Sequence, residues 1–278
     1  MMHSMNDWLQ NLVASLETDV YSPSGDKLPS FPSRELQVNT TGLSAEAALQ
    51  QAYAFYQDVL EGAQEAGLSL DESTVALDFG FGWGRISRVF MERLRVANIH
   101  GVDVDPAFAE LTRALFQSDQ FTVCDPFPPV RLPTAGFDLV YSYSVFSHLS
   151  EVACQSWMRE FSRLLKPGGI VALTTRHESF FDYCQWAASQ PDDGSYTAAL
   201  GRLFPSLDDA RAGYARGEFV HASSAGVDGG GPRNASFYGE TWIPEAYARA
   251  RFEPDFRFVR GFFDGERYDQ ACFVLQKL

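Results

Sequence analysis

The stretch Val75-Ala-Leu-Asp-Phe-Gly-Phe-Gly-Trp-Gly-Arg85 decides the fold. An apolar run ends in an aspartate, and glycines follow at 80, 82 and 84. Glycine tolerates the left-handed backbone of a tight turn and lets a ligand approach the main chain. Thr74–Phe79 therefore reads as a short buried strand, followed by a turn and a helical stretch to about Ala97. The spacing is G-x-G-x-G rather than the G-x-G-x-x-G of dinucleotide binders. Asp78 also puts a carboxylate just before the turn, where a cationic ligand suits better than a pyrophosphate. A tight turn in an unrelated α/β protein is the other reading of the three glycines.

Working outward, Ile99–Val104 reads as a second strand, and Pro106 opens a helix to about Phe116. Phe121–Cys124 is a weak third strand and Phe137–Tyr143 a fourth. Ser150 caps a helix that runs to Leu165 and stops at Lys166-Pro-Gly-Gly, and Ile170–Thr175 is a fifth strand. Strands alternating with helices predict a parallel sheet covered on both faces. Phe256–Phe263 and Ala271–Gln276, separated by Asp264-Gly265-Glu266-Arg267, predict an antiparallel hairpin added to that sheet. Upstream, residues 1–43 read as irregular with one short helix at 5–17. Ser44 to Gly67 has helical periodicity, with Ser44 as N-cap and Gly67 just past the C-terminus. The expected organisation is a helical segment at 1–68 and a core at 69–278. The aromatic-rich, loop-rich stretch 178–240 interrupts that core.

The chain has 278 residues, enough for one large domain, with 45% hydrophobic and 21% charged residues. Its formal charge of −14 repels phosphate backbones and anionic membrane surfaces, and no basic patch offsets it. Neither a nucleic-acid nor a membrane partner is expected. The first twenty residues lack a basic n-region and interrupt their apolar positions with Asp7, Glu17 and Asp19, unlike a signal peptide. Cys124, Cys154, Cys184 and Cys272 stand too far apart for zinc or redox spacing. Reduced thiols in a cytoplasmic protein are the expectation.

A second acid, Asp103, lies 19 residues beyond Gly84 in Ile99-His-Gly-Val-Asp-Val-Asp105. A carboxylate at the end of a second strand, about 20 residues on, accepts both hydroxyls of a ribose. Asp105 directly precedes Pro106 and is the better helix cap.

With these residues in view, the sequence resembles the class I S-adenosylmethionine-dependent methyltransferases from about Val75 to Thr175, and the C-terminal hairpin agrees. VALDFGFGWGR looks like the family's first motif and GVDVDP like its acidic second. FDLVYSYSVFSHL and LLKPGG look like its fourth-strand and fifth-strand motifs. The stretch around SVFSHLSE is most similar to bacterial methyltransferases of small molecules, often sugars or secondary metabolites. The resemblance implies a Rossmann-like doubly wound α/β sheet of seven strands, mostly parallel, with 178–240 as an inserted substrate lid. It implies S-adenosyl-L-methionine as cofactor and S-adenosyl-L-homocysteine as product.

Carried onto this sequence, the resemblance places Gly80, Phe81 and Gly82 around the methionine part and Asp78 at its ammonium. Asp103 would hold the ribose, Val104 would pack on adenine, Asp125 would meet the adenine amino group, and Tyr141 would lie beneath the sulfonium. Methyl transfer mainly needs alignment of donor and acceptor, but a hydroxyl acceptor must also lose a proton. His148, His177 and His221 are the candidate bases, since histidine titrates near neutrality. Each also has a purely structural reading; His148, for example, could orient the helix at Ser150. After the fourth strand there is no carboxylate to hold a magnesium ion. The expected activity is methyl transfer to a small-molecule acceptor, with a homodimer left open. The alternatives are a cofactor-binding module without turnover and a protein methyltransferase.

Overall fold

The computed structural model describes residues 5–227, 229–253 and 255–278. Helices α1 (Met5–Ala14), α2 (Arg34–Thr41) and α3 (Ala45–Glu65) come first. The core then runs β1 (Ala76–Phe79), α4 (Ser87–Phe90), β2 (Ile99–Asp103), α5 (Pro106–Phe116), β3 (Phe121–Val123), β4 (Phe137–Ser142), α6 (Glu151–Leu164) and β5 (Leu165–Arg176). Helices α7 (Phe180–Ala188), α8 (Tyr196–Gly201) and α9 (Leu207–Ala215) follow, then the short strands β6 (Val220–Ala222) and β7 (Glu240–Trp242). Helix α10 (Glu245–Arg251) and strands β8 (Phe256–Phe262) and β9 (Gln270–Lys277) complete the chain.

Among the described residues the main sheet has seven strands in the order β3-β2-β1-β4-β5-β9-β8. β1 to β5 are parallel, while β9 pairs antiparallel with both β5 and β8. This is the doubly wound sheet with a terminal hairpin that the strand rhythm predicts. Its order reverses between β1 and β4, and ligands in open α/β sheets bind at such a switch, outside the carboxyl ends of the strands. Apolar side chains fill both faces, with Leu12, Phe55, Tyr56 and Phe90 on one and Phe146, Trp157 and Phe161 on the other.

Several local expectations are corrected. The helix after the glycine turn is short; α4 ends at Phe90, and turns plus one 3-10 segment at Val96–Asn98 carry the chain to β2. Residues 1–43 hold a second helix, α2, capped by the Ser33 hydroxyl. Ser44 makes no side-chain cap for α3. Instead the Gln37 side-chain oxygen accepts from the Ala45 N–H at 2.8 Å, which anchors α2 to the start of α3. Gly67 does take the left-handed conformation (φ 77°) after α3, and the Leu68 N–H closes the end on the Ala63 carbonyl. Asp105 caps α5 through the Ala107 N–H, with Pro106 in the first turn. The expected helix at 5–17 is seen as α1 from Met5; residues 1–4 of the 1–68 segment lie outside the described residues.

The stretch between β5 and α10 has a small core of its own. Phe181 stacks on fully buried Trp242, with ring centroids 4.5 Å apart and planes 1° apart, and Leu200, Leu203 and Val220 pack around them. Phe181, Phe204 and Tyr214 of 178–240 are thus structural. The return strand is joined to the segment after β4. The Gly239 N–H donates to the His148 carbonyl, the Ser150 N–H to the Phe237 carbonyl, and the Thr241 N–H to the Ser147 carbonyl, each at 2.8 Å. Among the described residues, no helix is long and apolar enough to cross a membrane.

Candidate active site

A cavity of about 930 Å³ opens at the carboxyl ends of β1, β2, β4 and β5. That is the upper end of the range for sites that enclose small molecules, about 300–1,000 Å³. The glycine turn forms one wall. Gly80 and Gly84 are left-handed (φ 77° and 76°), and a Cβ on either would collide with Val145 or Phe116 at 2.3 Å. Gly82 is also left-handed (φ 52°), but a Cβ there would meet nothing within 4 Å, because this residue faces open space. The turn is therefore tight on its protein side and open on its cavity side.

Asp103 closes this end of the cavity. Its two carboxylate oxygens accept the N–H groups of Gly82 (3.0 Å) and Asp105 (2.9 Å), which fixes the side chain. An ionised carboxylate offers about four acceptor positions, so two remain for a diol. Val104, Phe108 and Cys124 continue the wall beside it. The residues present fit a ribose and its base, and an open backbone fits the arm beyond.

The sequence-derived candidates divide into two groups. Gly80, Phe81, Gly82, Asp103, Val104 and His148 line the cavity together. Asp78 sits beneath the turn at 1% exposure and accepts from the Ser87 hydroxyl at 2.7 Å. Burial pushes its carboxyl up to about 7, against the hydrogen bond from Ser87. Tyr141 points to the same buried side, stacked on Phe90 at 4.2 Å, its hydroxyl 3.1 Å from Ser87. Tyr143 and Ser144, just past the end of β4, line the cavity instead. Asp125 is exposed outside the cavity, and its neighbours Cys124 and Pro126 line it.

The three histidines also separate. His177 stacks on Phe263 and bonds Ser179, away from the cavity lining; burial lowers its pKa. His221 lies behind the wall with Nδ1 2.8 Å from the Thr241 hydroxyl, and burial lowers its pKa too. Only His148 of the three lines the cavity. It stacks on Tyr238 (4.7 Å, 6°), and its Nδ1 lies 2.8 Å from the Gly239 carbonyl oxygen and 3.3 Å from Glu240 Oε1. Both neighbours only accept, which assigns the proton to Nδ1 and leaves a lone pair on Nε2.

Sequence reasoning missed the group around His148. Glu240 is fully buried and accepts from Arg176 Nε (2.8 Å) and the Tyr196 hydroxyl (2.7 Å). Burial alone would raise its pKa, but Arg176 and His148 outweigh burial and hold it at about 2. Arg176 also reaches Asp269 at 3.1 Å and lies 3.9 Å over the Phe180 ring. Burial opposes its charge, and Glu240, Tyr196 and Asp269 more than restore it. One available signal was the charge on Arg176, the last residue before the strand rhythm ends.

Comparisons with known proteins agree with this geometry. Residues 77–173 match the family model described as a methyltransferase domain. That stretch, about a third of the chain, runs from β1 through most of β5. A solved S-adenosylmethionine-dependent methyltransferase of Clostridium acetobutylicum shares the fold with a TM-score of 0.52 at 12% identity, covering 81% of this chain and 91% of that one. A protein of Pyrococcus horikoshii OT3 does so with a TM-score of 0.50 at 13% identity, over 80% and 91%. A trans-aconitate 2-methyltransferase of Methylobacterium radiotolerans is 30% identical over 110 residues. That match spans 39% of this chain and 40% of the relative.

Proposed function

We propose that this methyltransferase domain is an active enzyme that methylates a hydroxyl of a small molecule, a sugar or secondary metabolite, in the cytoplasm. The observation that carries the reading is His148, held on the cavity wall with a free Nε2 lone pair and a buried carboxylate behind its other nitrogen. A hydroxyl is a poor nucleophile until its proton leaves, and a positioned imidazole contributes about 10²–10⁴-fold to such a step. Glu240 stays ionised throughout the working range and would stabilise the imidazolium that forms.

When bound, the cofactor supplies an electrophilic methyl group on a sulfonium. The chain's own task is alignment. Asp103 and the Gly82 backbone would orient one end of the cofactor, while Tyr143 and Ser144 bound the space between it and His148. The charge balance of the distal wall favours a neutral acceptor. Arg176 is opposed by both Glu240 and Asp269, which leaves it little free charge for a carboxylate acceptor. The interior includes Phe180, Tyr183, Tyr196 and Tyr238 from 178–240, whose faces suit a pyranose or aromatic ring. That stretch would therefore cover the acceptor, and the overall charge of −14 continues to disfavour nucleic acid.

The test is transfer of labelled methyl from S-adenosylmethionine to a library of sugars and phenolic metabolites, using wild type and His148→Gln. The variant should keep cofactor affinity and lose about 10²-fold or more in kcat. Near-normal kcat would leave His148 as a packing residue. Transfer only to carboxylates would replace the hydroxyl assignment.

A further inference from the structure

Ser144 lies two residues past β4, near the ends of β5 and β9, and it lines the cavity. Its backbone is left-handed (φ 60°), a conformation that residues other than glycine seldom adopt. Strained backbone of this kind gathers at ligand sites, where the surroundings hold it in place. Here two buried side chains do so. The Ser144 N–H donates to the Thr174 hydroxyl oxygen at 2.7 Å, and Thr174 donates to the Gln270 side-chain oxygen at 2.7 Å. The Gln270 side-chain N–H then donates to the Ser144 hydroxyl oxygen at 2.9 Å, which closes the circuit. Thr174 and Gln270 share a face because β5 pairs antiparallel with β9, with Thr174 opposite Cys272, two residues along from Gln270.

The circuit fixes the direction of each bond in it. Thr174 is fully buried, so its proton needs an acceptor, and Gln270 Oε1 is that acceptor. This turns the Gln270 N–H groups toward Ser144, whose oxygen accepts and whose own proton is left over. Among the described residues no protein group accepts that proton, and the cavity adjoins it. His148 stands one turn further along the chain, its backbone N–H on the Val145 carbonyl at 2.8 Å, and presents the opposite character, the Nε2 lone pair. One turn of the wall thus offers a donor and an acceptor. We propose that Ser144 is a specificity residue whose hydroxyl donates to a second oxygen of the acceptor molecule, next to the hydroxyl that faces His148. The acceptor class is then a vicinal diol, of which one oxygen is methylated and the other held. A lone hydroxyl would leave the Ser144 donor unmet in the filled cavity, and a site built to bond a hydroxyl discriminates against the analogue that lacks it. The inference rests on the hydroxyl reading above and deepens it.

Two matched probe pairs differ by that second oxygen alone: cyclohexane-1,2-diol against cyclohexanol, and catechol against phenol. Labelled methyl transfer to each is measured for wild type, Ser144→Gly and Gln270→Glu. Wild type should favour the diol in at least one pair by about 10-fold or more in kcat/KM. Ser144→Gly, which suits the left-handed backbone, should bring that preference within about twofold. Its affinity for S-adenosylhomocysteine in calorimetry should stay within about twofold of wild type, so the loss is not one of fold or cofactor. Gln270→Glu keeps the shape but offers only acceptors when ionised, and so captures the Ser144 proton. It should erase the preference with Ser144 intact, and adding Ser144→Gly should change little more. Should Gln270→Glu fail to fold, Ser144→Gly decides. A diol preference that persists in Ser144→Gly overturns the role, as does equal methylation of both members of each pair by wild type; either leaves the hydroxyl reading standing. Wild type that methylates none of the four probes overturns the diol class and the hydroxyl reading together. The donor direction is read separately in a crystal structure with S-adenosylhomocysteine, where a water should lie about 2.8 Å from Ser144 Oγ on the cavity side. A protein acceptor for that proton would overturn the assignment whatever the probes show.

Discussion

Glu240→Gln tests the central electrostatic claim, because it preserves shape and removes one buried charge. In the native state this carboxylate holds Arg176 and Tyr196 and faces His148 Nδ1. Its pKa of about 2, against an ordinary 4.5, corresponds to roughly 3 kcal/mol at about 1.36 kcal/mol per pH unit. A second route gives a similar figure. Removing one partner of a buried ion pair costs about 3–5 kcal/mol, and Asp269 keeps part of the compensation on Arg176, which favours the lower end. The folded-state pKa is depressed, so this stability is fully present above about pH 5 and is lost as pH falls toward 2. At pH 3.5 the unfolded chain has largely protonated this carboxyl while the native state has not, which removes roughly 1.4 kcal/mol of the wild-type advantage. Urea unfolding of both proteins at pH 7 and pH 3.5 reads this directly. A gap below about 1 kcal/mol at pH 7, or one that does not narrow at pH 3.5, would refute the buried-charge account.

Other outcomes follow from the same structure. Asp103→Ala should weaken S-adenosylhomocysteine by about 1.5–3 kcal/mol in calorimetry, since a charged acceptor for two hydroxyls is lost; equal affinity would remove the ribose assignment. Gly80→Ala should lower the melting temperature and abolish cofactor binding, because its Cβ would sit 2.3 Å from Val145 Cγ2 in a backbone with φ 77°; a folded, binding-competent variant would contradict the turn geometry. Methyl transfer should survive excess chelator, since the stretch Tyr141–Ser147 at and beyond the end of β4 offers only hydroxyls as hard side-chain ligands; a strict magnesium requirement would defeat this. Cys124 lines the cavity, but burial, with Asp103 and Asp125 nearby, pushes its thiol up to about 12. It should resist alkylation at pH 8, and rapid labelling that cofactor blocks would show the thiol to be reactive.

The difference between what the sequence made legible and what it hid is a difference of range. The glycine turn, Asp103, the Asp105 cap and the alternation of strands with helices are set by neighbours a few residues apart, and local spacing carries them. Asp78 and Tyr141 show where spacing stops being enough. Both stand at the right places in their motifs, yet their side chains are buried beneath the turn against Ser87 and Phe90, and the residues just past β4, Tyr143 and Ser144, line the cavity. The group around His148 lies further from local reading. His148 and Glu240 are brought together by two reciprocal hydrogen bonds between residues 148 and 239, the second made by the imidazole itself. Arg176 and Asp269, 93 residues apart, then meet because β5 and β9 pair antiparallel, with Arg176 opposite Gln270. Glu240, Arg176 and Asp269 carry no motif. Each is an ordinary polar residue near a strand end until the sheet order and the return of the inserted stretch close them on one cavity. The chemistry of the acceptor end is therefore a property of the β5–β9 and 148–239 pairings, and changes that disturb the inserted stretch should impair acceptor methylation before they impair cofactor binding.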